Sequence, residues 1–280
     1  MTSRPGPSIR ARVHVVTDCE SVVRRDDVAT EEPLEIRLAA GHHRQTVAVT
    51  MRTPGHDFEL AAGYLAGEGV LYSAADLTQV DYCTDIDLPA DQQFNVVTVS
   101  LRAAELPEIA HLDRHGFTSS ACGVCGKASL DALAIRAEPI VSAAELDVET
   151  LYALPERLRA AQAVFGNTGG MQAAGLFTGD GVALVVREDV GRHNAVDKVI
   201  GHRLLHGMSA DPAVLVVSGR TSYEIVQKAV AAGVAVVAGV SAPSSLAIAV
   251  AEQFGVTLAG FLRGRRVNVY AHPDRIKVGS

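Results

Sequence analysis

Cysteine is scarce in this chain: four among 280 residues. That is too few for the disulfide framework of a small secreted protein. A chain this long needs no such staples, because it can bury a sizeable apolar core. Positive charge is also in deficit. A formal net charge of -7 argues against bulk, sequence-independent binding to nucleic acid or to an anionic membrane. Met1 to Val16 lack the apolar run that a signal peptide needs. Ala229 to Ala251 is uncharged and long enough to span a bilayer, but Gly233, Gly239, Ser241, Pro243, Ser244 and Ser245 interrupt it. It reads as a helix end, a buried strand, a turn and a second helix. Internal repeats and low-complexity segments are absent. These absences predict a protein of a reducing compartment, the cytoplasm, with no nucleic-acid and no membrane partner.

Two further absences narrow the chemistry. The pair Cys122 and Cys125 forms a C-x-x-C, and no second C-x-x-C accompanies it. A structural zinc site wants four ligands, so Cys19 and Cys83 would have to complete it from separate segments. The H-x-E that zinc deaminases combine with P-C-x-x-C occurs nowhere.

What is present has the composition of a folded globular chain, 48% hydrophobic and 20% charged. Residues 1–10 carry two prolines and no periodicity and read as a flexible tail. Residues 11–115 are strand-rich, with β patterns at Arg12–Val16, Leu34–Leu38, Thr46–Val49 and Asn95–Leu101. Within them Thr53-Pro54 predicts a helix start, Thr53 as cap and Pro54 in the first turn, ending at Gly67 and Gly69. In residues 116–280 strands alternate with helices. The apolar runs Val182–Val186, Ala213–Val217, Val234–Ala238 and Val256–Ala259 read as strands buried on both faces. Helical patterns fill His193–Leu205, Tyr223–Ala232 and Ser244–Phe254. This alternation predicts a mostly parallel sheet covered by helices.

Four constellations could carry chemistry. Ser119 to Lys127 holds Cys122 and Cys125 among glycines, just ahead of a short helical pattern at Ala128–Leu133. A helix start and Lys127 both favour the thiolate, the nucleophilic form that can accept or pass on sulfur. Half of a zinc site, or a redox motif, would share this spelling. The second, Arg187 to Asn194 with Arg192 and His193, stands where a strand gives way to a helix. Open α/β sheets bind ligands there, although Glu188, Asp189 and Arg192 could simply cap and pair. The third, Ser218-Gly219-Arg220 followed by Thr221 and Ser222, makes an anion cradle or an ordinary N-cap. The fourth is Phe261-Leu262-Arg263-Gly264-Arg265-Arg266, arginine forks suited to phosphate or a solvated turn between strands. Two strand-end sites in one sheet favour a shared ligand crevice. The glycines of Asn167-Thr168-Gly169-Gly170 indicate close backbone approach, to a ligand or to a neighbouring strand.

In order along almost the whole chain, several motifs resemble the FdhD family of formate dehydrogenase accessory sulfurtransferases. They are Thr53-Pro54-Gly55-His56-Asp57 with Glu68-Gly69-Val70, Ser120 to Gly126, Thr168-Gly169-Gly170, Asp189 to Lys198, Ser218-Gly219-Arg220, Ser241 to Ala247, and Gly260 to Gly264. The resemblance implies an α/β fold, a cytidine-deaminase-like layered sheet with helices on both faces, preceded by the smaller strand-rich domain. It implies a sulfurtransferase acting through a cysteine persulfide on Cys122, between a cysteine desulfurase and formate dehydrogenase, with room for a homodimer. The sulfur acceptor would be the molybdenum (or tungsten) bis(molybdopterin guanine dinucleotide) cofactor, contacted by Phe261 to Arg266. A zinc-stabilised chaperone that only binds the cofactor is the alternative. The family pattern has a histidine two positions after the paired glycines; here Gln172 stands there.

Overall fold

Residues 5–83, 94–107, 138–142, 144–209 and 213–279 are described in the computed structural model. The C-x-x-C segment with Cys122, Cys125 and Lys127 lies outside them, as does the boundary expected near Gly116. An antiparallel ribbon opens the chain, β1 (Ser8–Thr17) and β2 (Glu20–Ala29), joined by Asp18 and Cys19. Both turn residues have positive φ, 48° and 69°. That is the twist a two-residue hairpin turn requires.

The next layer is a four-stranded sheet of β3 (Glu32–Ala40), β4 (His43–Arg52), β5 (Leu77–Tyr82) and β6 (Val96–Leu101), in the order β4-β3-β6-β5. Helix α1 (Asp57–Gly67) follows β4. It begins three residues later than Thr53-Pro54 predicts. His56 takes a left-handed conformation, φ 57°, and gives no side-chain cap. The helix start is fixed instead by a buried pair, Arg52 Nη2 to Asp57 Oδ2 at 3.1 Å. The Gly55 amide and the Tyr82 hydroxyl also donate to Asp57.

Beyond the short strand β7 (Leu146–Asp147) come α2 (Val148–Ala160) and α3 (Ala163–Thr168). A six-stranded sheet then forms from β8 (Gln172–Thr178), β9 (Ala183–Asp189), β10 (Ala213–Val217), β11 (Val236–Gly239), β12 (Thr257–Arg263) and β13 (Arg266–Ala271). The strand order is β13-β12-β11-β10-β8-β9. Only β10, β11 and β12 run parallel; β8, β9 and β13 join antiparallel. The sheet is therefore mixed, not mostly parallel. The cause is local: β8–β9 and β12–β13 are hairpins, which need no crossover helix. As an edge strand β9 is half-exposed rather than buried on both faces.

Helices α4 (Arg192–Leu205), α5 (Tyr223–Ala231) and α6 (Ser245–Phe254) start and stop within a residue or so of the sequence pattern. The Ala229–Ala251 stretch is the end of α5, β11 and the start of α6, and no helix among the described residues is long and apolar enough to cross a membrane.

Strand alternation divides the core. From β10, Leu215 and Val217 face one cluster with α4, α5 and α6, while Val214 and Val216 face Leu151, Leu154 and Leu158 of α2. The first cluster continues through α1 into Leu34, Ile36 and Val99 of the four-stranded sheet. Two sheets thus share one core, with α1 against α4 between them. The helices meet backbone to backbone: a Cβ on Gly63 would stand 1.8 Å from the Asp197 carbonyl, and one on Gly201 1.8 Å from that of Glu59.

Candidate functional site

The parallel strands β10, β11 and β12 all end on one side of the sheet, and three loops gather there. A cleft of about 520 Å³ opens between them, lined by Gln172, Val190, Gly191, Arg192, His193, Ser218, Gly219, Arg220, Ser241 and Arg263. Three constellations that lie far apart in sequence therefore form one wall. Ser218 to Arg220 leave the end of β10, Ser241 follows β11, and Arg263 closes β12. Arg192 and His193 are the first two residues of α4, whose N-cap is Gly191.

A buried carboxylate sets the loop that presents Arg192. Asp189 is fully buried and pairs with the equally buried Lys198, Nζ to Oδ2 at 2.6 Å. It also accepts the amides of Thr53 (3.1 Å) and Gly191 (2.9 Å) and the Asn194 side chain (3.0 Å). Thr53 Oγ1 accepts the Val190 amide, and Lys198 donates to the carbonyl oxygens of Thr53 and Glu188. Thr53 is thus a strut from the first layer to the cleft loop, not a helix cap. Glu188 points the other way and caps α3 through the amides of Val164 and Phe165. Within this motif, then, Glu188 and Asp189 hold structure while Arg192 and His193 face the cleft.

The cleft gathers positive charge. Among the described residues no carboxylate lies within ion-pair distance of Arg192, Arg220 or Arg263. Burial, and then the neighbouring Arg220, depress the guanidinium of Arg192, with Glu224 opposing them. The Nε of Arg192 is buried with no hydrogen-bond partner among the described residues. Arg263 Nε donates to the Val240 carbonyl, which aims its fork along the rim. His193 is pushed down to about 4 by burial, Lys228 and Arg192, so it is neutral at pH 7. Its Nε2 lies 2.9 Å from Ser222 Oγ. Burial would raise Glu224, but the Ser222 hydroxyl, its own backbone and His193 hold it low. An anion entering here meets arginine forks, hydroxyls and a helix N-terminus, the chemistry that binds phosphate.

The segment Phe261 to Arg266 divides by role. Leu262 is core, fully buried. Arg265 turns away to Glu149 on α2, with Nη1 2.6 Å from Oε2, and lies over the Tyr152 ring. Arg266 and Gly264 are exposed on the hairpin, Gly264 at φ 54°. Phe261 has φ 51° and is 40% exposed beside the cleft, its amide donating to Ser241. Only Arg263 of the six lines the cleft.

Gln172, two positions after the paired glycines, also lines it. It accepts from Ser218 Oγ, which in turn accepts the Ala173 amide. A Cβ on Gly219 would come 2.7 Å from its Oε1, so the glycine keeps this corner open. Outside the cleft, His202 on α4 and His206, its C-cap, stand one turn apart with stacked rings. Glu59 and Arg187 occupy His202 Nδ1, and no cluster of three metal-ligating side chains occurs among the described residues. Cys19 is exposed on the ribbon turn, and Cys83 follows β5.

Fold and cleft together define a mixed α/β protein with an arginine-lined crevice at the ends of its parallel strands. The chain belongs to the FdhD/NarQ family, whose model matches residues 29–277. It is 49% identical over 272 residues to the sulfur carrier protein FdhD of Streptomyces coelicolor, covering 95% of each chain. It is 46% identical to that of Mycobacterium tuberculosis, over 95% of this chain and 97% of the other. With that of Thermoplasma volcanium it shares 42% over 90% of each. In fold it is similar to the crystal structure of a candidate formate dehydrogenase accessory protein from Desulfotalea psychrophila. That comparison has a TM-score of 0.75 and 24% identity, covering 96% of this chain and 99% of the other.

Proposed function

We propose that this protein is a cytoplasmic sulfur carrier in formate dehydrogenase maturation, with the arginine-lined cleft as the seat of its acceptor. The observation that carries this reading is the convergence of Arg192, Arg220 and Arg263 from three separate segments onto one crevice, with no carboxylate at ion-pair distance among the described residues. The curated names of the relatives add sulfur transfer. The substrate class is a nucleotide-bearing anion, the molybdenum (or tungsten) bis(molybdopterin guanine dinucleotide). Helices on both faces of the six-stranded sheet support a deaminase-like layering, and the lack of H-x-E separates it from deaminase chemistry.

In this scheme the Cys122 thiolate attacks the outer sulfur of a cysteine desulfurase persulfide. The desulfurase thiolate leaves, and Cys122 carries the outer sulfur. Attack of Cys125 on Cys122 then forms the disulfide and releases sulfide toward the metal, the two thiols supplying the two electrons. Peptide mapping after incubation with desulfurase and cysteine tests the carrier. One extra sulfur on Cys122 is expected, and full loading of the Cys122→Ser protein would move the role to Cys125. Loading of neither thiol would remove it.

GDP, as a probe of the nucleotide end, tests the cleft. Arg263→Ala should weaken binding by roughly tenfold or more, the value of a charge-assisted contact. Arg265→Ala, which faces Glu149, should leave binding nearly unchanged. Equal losses in both variants would mean that the hairpin arginines act only as a general positive field.

A further inference from the structure

Helix α4 has chemistry at both ends. Its first turn faces the cleft; its last turn carries His202, and His206 is its C-cap. Four residues apart, the two imidazoles share one face of the helix, and their ring centroids are 4.1 Å apart. Each Nδ1 is committed. That of His206 stands 2.8 Å from the His202 carbonyl oxygen, which only accepts, so the proton is on Nδ1. That of His202 stands 2.9 Å from Glu59 Oε1 on α1. Burial would raise the Glu59 carboxyl, but hydrogen bonds from Arg187, His56 and His202 hold it well below the usual carboxylate range. Ionised, it too only accepts, so His202 carries its proton on Nδ1. Arg187 Nη2, 3.1 Å from the same nitrogen, donates to Glu59 Oε1 at 2.7 Å. In the neutral rings both Nε2 atoms are therefore lone pairs, with no partner among the described residues. Both reach solvent: His206 is exposed, and His202 Nε2 is not among the buried unpartnered atoms. A carboxylate or carbonyl on the far nitrogen is the arrangement that orients an imidazole toward a metal.

We propose that His202 and His206 chelate a divalent late transition metal ion, Ni²⁺ or Cu²⁺ in preference to Zn²⁺. An ion ~2.0–2.1 Å from each Nε2 lies about 3.2 Å from each ring centre, so centres 4.1 Å apart subtend about 80° at it. That is near the right angle between neighbouring positions of a square-planar or octahedral ion. It falls well short of the tetrahedral angle that zinc takes. The site also lies at the C-terminal end of α4, where the macrodipole favours a cation. Metal on His202 Nε2 strengthens the Nδ1–H bond to Glu59 and so ties α4 to α1. No third His, Cys, Asp or Glu joins the pair among the described residues, which leaves the other positions to water and the ion exchangeable. Thirteen residues of helix, about 20 Å, separate His206 from His193 in the cleft. The site therefore does not rest on the sulfur-carrier reading.

Calorimetric titration of the untagged full chain with Ni²⁺ tests this, in a Cys122→Ser/Cys125→Ser background so that the thiols do not compete. One Ni²⁺ per chain is expected, bound more tightly than Zn²⁺. His206→Ala should weaken it by roughly tenfold or more, since removing a ligand costs at least what removing its supporting partner does. His202→Asn should do the same: asparagine can still donate to Glu59 in place of Nδ1 but has no Nε2. Circular dichroism checks that both variants keep the fold. The electron paramagnetic resonance of bound Cu²⁺ should show two nitrogen couplings in the parent and one in each variant. A parent with no saturable Ni²⁺ binding below ~1 mM would overturn the proposal. So would Ni²⁺ affinity unchanged in both variants, tighter binding of Zn²⁺, or a Cu²⁺ spectrum that loses no nitrogen.

Discussion

Replacing Asp189 by alanine removes the acceptor on which the cleft loop hangs. The carboxylate is fully buried, and four groups point at it: Lys198 Nζ, the amides of Thr53 and Gly191, and the Asn194 side chain. In the variant the Lys198 ammonium keeps two carbonyl contacts, to Thr53 and Glu188, but faces no anion. Breaking a buried ion pair on one side costs ~3–5 kcal/mol. Against a total stability of ~5–15 kcal/mol that is a large fraction. With a urea slope of ~3 kcal/mol/M the midpoint should fall by about 1 M or more. Equilibrium urea unfolding of both proteins, followed by circular dichroism, measures it. Lys198→Met added to Asp189→Ala removes the stranded charge, so the double variant should be more stable than Asp189→Ala alone. GDP affinity should fall in both variants, because Arg192 and His193 ride on the loop. A loss below ~1 kcal/mol in Asp189→Ala, or a double variant that simply adds the two losses, would refute the claim that this pair holds the loop.

The crossing of α1 and α4 gives a second expectation. Gly201→Ala should destabilise by more than ~3 kcal/mol, since its Cβ would meet backbone that cannot turn aside. Gly166→Ala, with nothing within 4 Å, should be close to neutral, both read by equilibrium urea unfolding. His193 supplies a third. Its folded pKa of about 4 lies below the unfolded value, so the unfolded chain takes up the proton first as pH falls. Stability should therefore be fully present near neutral pH and decline from about pH 6.5 toward about pH 4, and His193→Gln should flatten that decline in urea titrations at each pH.

Much of the six-stranded layer was legible because its residues carry their own instructions. Five β-branched or apolar residues at Ala213–Val217 can be little else than a buried strand, and Ser244 caps α6 as its position suggests. The cleft was legible in pieces, since a loop after a buried strand is where ligands bind. What sequence could not give was the partner across space. Thr53 has the spelling of a helix cap, yet its amide and hydroxyl are claimed by a loop more than a hundred residues away. Arg263 and Arg265 look alike in sequence, and only the α2 carboxylate at Glu149 separates their roles. Helix α2 itself was missed, although Asp147 followed by Leu151, Leu154 and Leu158 had the right period; Pro155 obscured it. The direction of β8 and β9 depends on a tight turn at Gly181, φ 82°, which a reading of alternating strands and helices passes over.

Phe261 carries a consequence of another kind. A bulky side chain at φ 51° stands in backbone territory that glycine occupies freely, at a cost of ~1–2 kcal/mol. The same torsion turns its ring outward at the cleft rim, 40% exposed, where a flat ligand could stack on it. Relaxation of the backbone and retention of the ring are mutually exclusive at this position. A glycine here would favour a sturdier protein with a barer rim.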